Sequence, residues 1–165
     1  SILDPRVTEG DLSGLLSVYS LSKQSNLAGY RAAFIAGDSA LVAGLLELRK
    51  HMGMMVPAPV QAAMCAVLRD DAGVAEQRQR YARRRDELAG AFRAAGYSID
   101  DSDAGLYLWL RPKGSQGCWD TVGELAELGI LTAPGAFYGD ETHVRAALTA
   151  TDERITAASE RLRRI

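Results

Sequence analysis

Lys23 stands among groups that suit a phosphate-bearing ligand. The stretch SLSKQSNLAGYRAAF, residues 20–34, sets Lys23 beside Ser22 and close to Ser20, then adds Gly29 and Arg31 within eight residues. A lysine after a strand is ordinarily solvated, but these neighbours argue for more. An amine that must form a Schiff base needs a lowered pKa, which partial burial and a nearby cation such as Arg31 supply. The two serine hydroxyls can donate to phosphate oxygens, and Gly29 allows a positive φ or a close backbone approach to a ligand. A second charged group, Arg145, interrupts the alternating run at residues 143–148 just after GAFYGD. From pattern alone it reads as a strand arginine paired with an acid such as Asp140.

These residues need elements to hold them. The apolar runs at residues 15–19 and 32–36 predict two buried strands, with the lysine stretch turning between them. Asp38 or Ser39 caps a helix over ALVAGLLELRK that ends at Gly53, with Leu41, Leu45 and Leu48 at helical spacing. MMVPAPV, residues 54–60, is an extended entry to a helix over residues 61–68, with Cys65 on its packed face. The longest helix is expected at residues 72–95, closed by Gly96. Its arginine-rich first half and apolar second half place a domain boundary near residue 75. Short strands follow at 97–99, 106–110, 130–132 and 143–148, with helices at 119–128 and after the Thr151 cap. Asp152 and Glu153 favour the positive end of that last helix. The second half is thus expected to be a small α/β sandwich, a sheet covered by helices on one face.

Composition narrows the function classes. The chain has 165 residues, enough for one domain or for two pieces of a larger fold, and a net charge of −2. That balance argues against a general nucleic-acid or membrane-surface role. Two cysteines without paired spacing fit a reducing, cytoplasmic compartment and exclude a cysteine-built metal site. His51 and His143 have no ligand-like spacing, so no metal is expected. No apolar run approaches the length of a transmembrane helix, and the first residues lack the pattern of a signal peptide.

The stretch at residues 20–33 resembles the pyridoxal-phosphate attachment signature of class I and II aminotransferases. A small residue stands three before the lysine, a glycine follows, and an arginine stands eight after the lysine. The resemblance implies an α/β fold, the C-terminal part of a fold-type I transferase. Residues 1–74 would end the large cofactor domain, and residues 75–165 would form the small domain. It implies pyridoxal 5'-phosphate as cofactor, with Lys23 as its covalent anchor and proton carrier. Ser20 and Arg31, helped by Ser22, would hold the phosphate. Arg145 would clamp a substrate α-carboxylate by its planar fork. AGLYLWL, residues 104–110, resembles the strand lining the substrate pocket, where Gly105 leaves room and Tyr107 touches substrate. Trp109 reads as core, and Tyr138 as a border of the entrance or as turn packing. Met54, Met55 and Val56 are candidates for a homodimer interface or for ordinary core.

At its most specific the resemblance is to the N-succinyldiaminopimelate aminotransferases of actinobacteria. These imply amino transfer between glutamate and an N-succinylated 2-amino-6-oxo-diacid, in lysine and diaminopimelate biosynthesis. Arg111 or Lys113 would then meet a distal carboxylate or stand as solvated loop charges. In the family, the glycine-rich loop, the stacking aromatic, the asparagine and the aspartate that pairs with the pyridine nitrogen precede the lysine. They are expected upstream of residue 1, and Asp4 and Asp11 lie too near Lys23 to replace that aspartate. The chain is therefore expected to be a C-terminal part that is inactive alone. Alternatives are another class I aminotransferase, a pyridoxal-phosphate lyase, or a non-catalytic fragment. That fragment would bind an acidic partner through Arg78, Arg80, Arg83, Arg84 and Arg85, which otherwise read as a solvated helix face.

Overall fold

The structure, a computed structural model, describes residues 1–165, which form α-helices and antiparallel strands. Helix α1 (Pro5–Thr8) is a single turn capped by Asp4. Strand β1 (Leu16–Ser20) leads into the short helix α2 (Leu21–Gln24) and a 3₁₀ turn at Ala28–Tyr30. Strand β2 (Ala33–Gly37) returns antiparallel to β1, with Ser20 opposite Ala33 and Leu16 opposite Gly37. Helix α3 (Ser39–His51) starts at Asp38, whose Oδ1 accepts from the amides of Ala40 (2.8 Å) and Leu41 (3.3 Å). Its Oδ2 accepts from the Gly14 amide at 2.8 Å, so one carboxylate fixes the helix start and the loop before β1. Helix α4 (Ala58–Val67) begins after Pro57, and α5 (Asp71–Ala94) is the longest element. Strands β3 (Ser98–Asp100) and β4 (Tyr107–Arg111), helix α6 (Cys118–Glu127), strands β5 (Ala133–Pro134) and β6 (Val144–Ala147), and helix α7 (Asp152–Leu162) complete the chain.

The chain divides into two units, Ser1–Arg78 and Gln79–Ile165, and the division falls within α5. In the first unit a small core joins Leu21, Leu27, Ala32 and Met64, flanked by Val60 and Val67. The two strands expected to be buried are not. Val18 is 70% exposed, Tyr19 and Phe34 also face outward, and their rings touch at 5.5 Å. Helix α3 buries none of its residues, and Leu41 and Leu48 are exposed. Cys65, expected in the packed face of α4, is exposed as well, because Met64 is the helix residue that enters the core.

In the second unit the sheet runs β3-β4-β6-β5, antiparallel throughout. Alternation sends Leu108, Leu110, Val144 and Ala146 to one face, where they pack with residues of α5, α6 and α7. Phe92 on α5 is wholly buried there, worth roughly 1.5–3 kcal/mol for its side chain. The expected strand at residues 130–132 lies instead at Ala133–Pro134, since only these two residues pair with β6. Leu131 is 88% exposed, so its apolar character does not mark a buried strand.

Candidate functional site

The end of β1 positions the first group. Ser20 is extended and caps α2, its Oγ accepting from the Ser22 amide at 3.3 Å. The same Oγ donates to Ser22 Oγ at 2.9 Å, so two hydroxyls lie together at the strand end. Leu21 between them is fully buried and anchors the turn. Lys23, one residue further along α2, is exposed and forms no ion pair. Arg31 ends the 3₁₀ turn in a left-handed conformation, φ 52°. One guanidinium nitrogen donates to Ala28 O at 3.2 Å, and the exposed side chain keeps its other donors open. A Cβ added to Gly29 would meet nothing within 4 Å, so this glycine is required neither by packing nor by a positive φ. An amine, two adjacent hydroxyls and a guanidinium form a donor set that fits a phosphate-bearing aldehyde.

The second group lies in the other unit, on the sheet face that points away from its core. Asp100, Trp109, Arg145 and Ala133 are register partners across four strands, one row from edge to edge. Tyr107 is the diagonal neighbour of Arg145 on β4. The Arg145 guanidinium carbon stands 4.2 Å from the centre of the Tyr107 ring and 4.9 Å from that of Tyr138. Such cation–π contacts hold an arginine in place without neutralising it. The expected pairing of Arg145 with Asp140 does not occur, and the Arg145 Nε is buried without a hydrogen-bond partner. Asp140 serves its own loop instead. It accepts from the Thr142 amide and hydroxyl, both at 2.7 Å, and approaches His143 Nδ1 at 2.7 Å. A held cation with one of its own donors buried and unsatisfied is a place for an anion.

Trp109, read as core from the sequence, lies on this outer face. It stacks on His143 with ring centres 5.3 Å apart and planes 7° from parallel, and meets Tyr138 edge-on at 5.8 Å. His143 Nε2 bonds Asp100 Oδ2 at 3.0 Å. The His143 ring is held above its ordinary pKa. Burial opposes the charge, but the hydrogen bonds to Asp100 and Asp140 outweigh it. Both acids are held below the usual carboxylate range, Asp100 first by His143 and Asp140 first by the Thr142 hydroxyl. Arg111 pairs with Asp100 at 3.3 Å. Sequence reasoning missed His143 and Asp100 because they are 43 residues apart and only the β3-β4-β6 register joins them.

Gly105 has φ +83° with open space where a Cβ would stand, and its carbonyl accepts from Arg85. Arg85 also donates to Ser102 O at 2.6 Å, and Arg84 pairs with Asp152 and donates to Leu148 O. Two of the five clustered arginines therefore fasten the second-unit part of α5 to that unit. Met54 and Met55 are exposed and Val56 is half-buried. No helix is long and apolar enough to cross a membrane.

The family model for aminotransferase class I and II matches residues 3–162. The chain is 58% identical over 164 residues to the probable aminotransferase Rv1178 of Mycobacterium tuberculosis, covering 98% of this chain and 39% of that protein. It is 57% identical over 164 residues to the 4-dedimethylamino-4-oxo-anhydrotetracycline transaminase OxyQ of Streptomyces rimosus, covering 98% of this chain and 45% of that protein. The chain thus spans about two fifths of the length of these curated relatives. Among solved structures, an aminotransferase from Staphylococcus aureus superposes with a TM-score of 0.78 at 27% identity, over 91% of this chain and 41% of that one.

Proposed function

Because the chain belongs to the class I and II aminotransferases, a pyridoxal-phosphate-dependent family with the fold-type I architecture, we propose that the protein carrying it is a transaminase in which Lys23 is the reactive amine. The carrying observation is the turn after β1, where Lys23 stands unpaired beside the joined hydroxyls of Ser20 and Ser22. When bound, pyridoxal 5'-phosphate supplies an electrophilic aldehyde and a ring that delocalises electrons released at a substrate carbon. Lys23 Nζ would anchor that aldehyde and then carry the proton between the substrate Cα and the former aldehyde carbon. Ser20 Oγ, Ser22 Oγ and the Arg31 guanidinium bind the phosphate. Arg145 binds the substrate α-carboxylate through its open donors, Tyr107 borders that carboxylate, and Gly105 keeps a side chain out of its approach.

Residues 1–74 are read as the end of the large cofactor-binding domain and residues 75–165 as the small domain. The whole enzyme is read as a cytoplasmic homodimer. Exposed Met54 and Met55 and two free cysteines support that reading. The substrates proposed are glutamate as donor and an N-succinylated 2-amino-6-oxo-diacid as acceptor, a step of lysine and diaminopimelate synthesis. The resemblance of SLSKQSNLAGYRAAF, MMVPAPVQAAM, GLYLWL and VRAALTATDERI supports them. A second reading, amination of a polycyclic ketone, is favoured by the 57% identity to OxyQ and by the aromatic wall of Tyr107, Trp109 and Tyr138.

Borohydride reduction of the full-length protein with its cofactor, followed by peptide mapping, tests the chemistry. The label is expected on Lys23 and absent from Lys23→Ala, and a label elsewhere rejects the reading. Turnover with glutamate against the N-succinylated 2-amino-6-oxo-diacid and a 4-oxo-anhydrotetracycline then decides between the acceptors.

A further inference from the structure

The imidazole of His143 is braced at both nitrogens. Asp100 Oδ2 lies 3.0 Å from Nε2, and Asp140 Oδ2 lies 2.7 Å from Nδ1. A neutral imidazole has one N–H and can satisfy only one of these acids, whereas the imidazolium donates to both. Its flat face lies against Trp109, whose edge-to-face partner Tyr138 in turn faces the Arg145 guanidinium. His143 and Arg145 are two residues apart on one strand and so share the outer face of the sheet. An unbroken run of ring contacts therefore joins a titratable clasp to the arginine whose Nε is left without a partner.

We propose that His143 is a positioning residue for Arg145, its clasp between Asp100 and Asp140 setting the Trp109–Tyr138 wall that aims the guanidinium at a substrate carboxylate. The inference rests on the reading of Arg145 as the carboxylate-binding group and adds how that group is held and when it is released. The groups facing His143 come from every neighbouring element. Asp100 is on β3 and is shared with Arg111 on β4, Trp109 is on β4, and Asp140 and Thr142 lie in the loop before β6. The carboxylates outnumber the one adjacent cation, Arg111, so the charged ring is the satisfied form. Deprotonation leaves one carboxylate facing a bare ring nitrogen and loosens the stack on Trp109.

The sign follows from the raised pKa of His143. The clasp is complete below the ordinary value of 6.5 and is lost as pH rises through the higher value of the folded protein. Carboxylate binding should weaken over the same interval. The test uses the full-length holoenzyme with glutamate as the probe, measuring kcat and KM against pH for wild type, His143→Gln, Asp140→Asn and Arg145→Lys. For His143→Gln, the KM for glutamate should rise about tenfold at neutral pH while kcat changes much less, because binding geometry rather than chemistry is disturbed. The KM inflection above pH 6.5 should vanish in that variant.

Asp140→Asn should lower the pH of that inflection, which a merely structural loss would not do. The wild-type profile stands as a measurement even where a variant fails to fold. A wild-type KM that is flat from pH 6.5 to well above it overturns the inference. So does a His143→Gln profile that superposes on the wild type while Arg145→Lys still raises KM, and that outcome leaves the carboxylate-binding role of Arg145 intact. Should Arg145→Lys leave KM unchanged, the role of Arg145 itself fails, and the positioning role falls with it.

Discussion

Arg145 shows how one side chain can be held and yet left chemically open. Two tyrosine rings fix the guanidinium, no acid neutralises it, and Nε has no partner. The neighbouring clasp has its own pH window. Asp100 and Asp140 titrate below their ordinary 3.8, so their contribution is full above that value and is lost as pH falls through the lowered ones. His143 titrates above its ordinary 6.5, so its contribution is full below that value and is lost as pH rises. The stack on Trp109 should therefore be constant between pH 3.8 and 6.5 and change on either side. The indole N–H resonance of Trp109, assigned through Trp109→Phe, reports it. A resonance that moves steadily through the middle of this range contradicts the window. Lys23 was legible as a candidate through the serines, glycine and arginine spaced around it, and Arg145 because a charge in an alternating strand stands out. The clasp was not, since nothing local links Asp100 to His143.

At the scale of elements, the loop before β6 determines where the clasp and Arg145 stand. Gly135 N donates to His143 O at 2.7 Å, and Asp140 N donates to Gly135 O at 3.1 Å. A Cβ on Gly135 would lie 2.4 Å from Asp140 O and 2.5 Å from His143 O, both backbone atoms with little freedom to move. Gly135→Ala should cost about 1–3 kcal/mol, read as a lowered melting temperature, and should raise the KM for glutamate as β6 shifts. An unchanged melt would show that the loop yields without cost.

The sequence pattern located most of these elements. The short apolar run in YLWLR and the alternation around VRAA mark strands, and Asp38, one of two cap candidates beside Ser39, and Thr151 mark helix starts at their observed places. It misplaced β5, because Ile130 and Leu131 look like a strand although pairing with β6 begins only at Ala133. It also misread the face of α4, where Met64 and Cys65 are both apolar and only packing selects Met64. Trp109 was assigned to the core by its size, yet its register with Arg145 puts it on the outer face.

The whole molecule distributes its core unevenly. The second unit gathers buried residues from three helices and the sheet, whereas the first has a core of four buried side chains. Hydrophobic runs predicted the first unit's strands but not their exposure, because a strand's apolarity does not say whether another layer lies over it. The chain answers to about two fifths of its relatives' length, and its family is the class I and II aminotransferases. The β1-β2 ribbon, left with Val18, Tyr19 and Phe34 facing water, has a practical consequence for this 165-residue chain in a test tube. A two-stranded ribbon with bare edges and a greasy face is a template for stacking copies of itself. Concentrated solutions should turn cloudy on standing, with a strong dependence on concentration, and Val18→Lys should slow the clouding severalfold. Light scattering that is the same for both chains would place the sticky surface elsewhere. For anyone purifying the chain, shelf life depends on that ribbon rather than on the well-packed second unit.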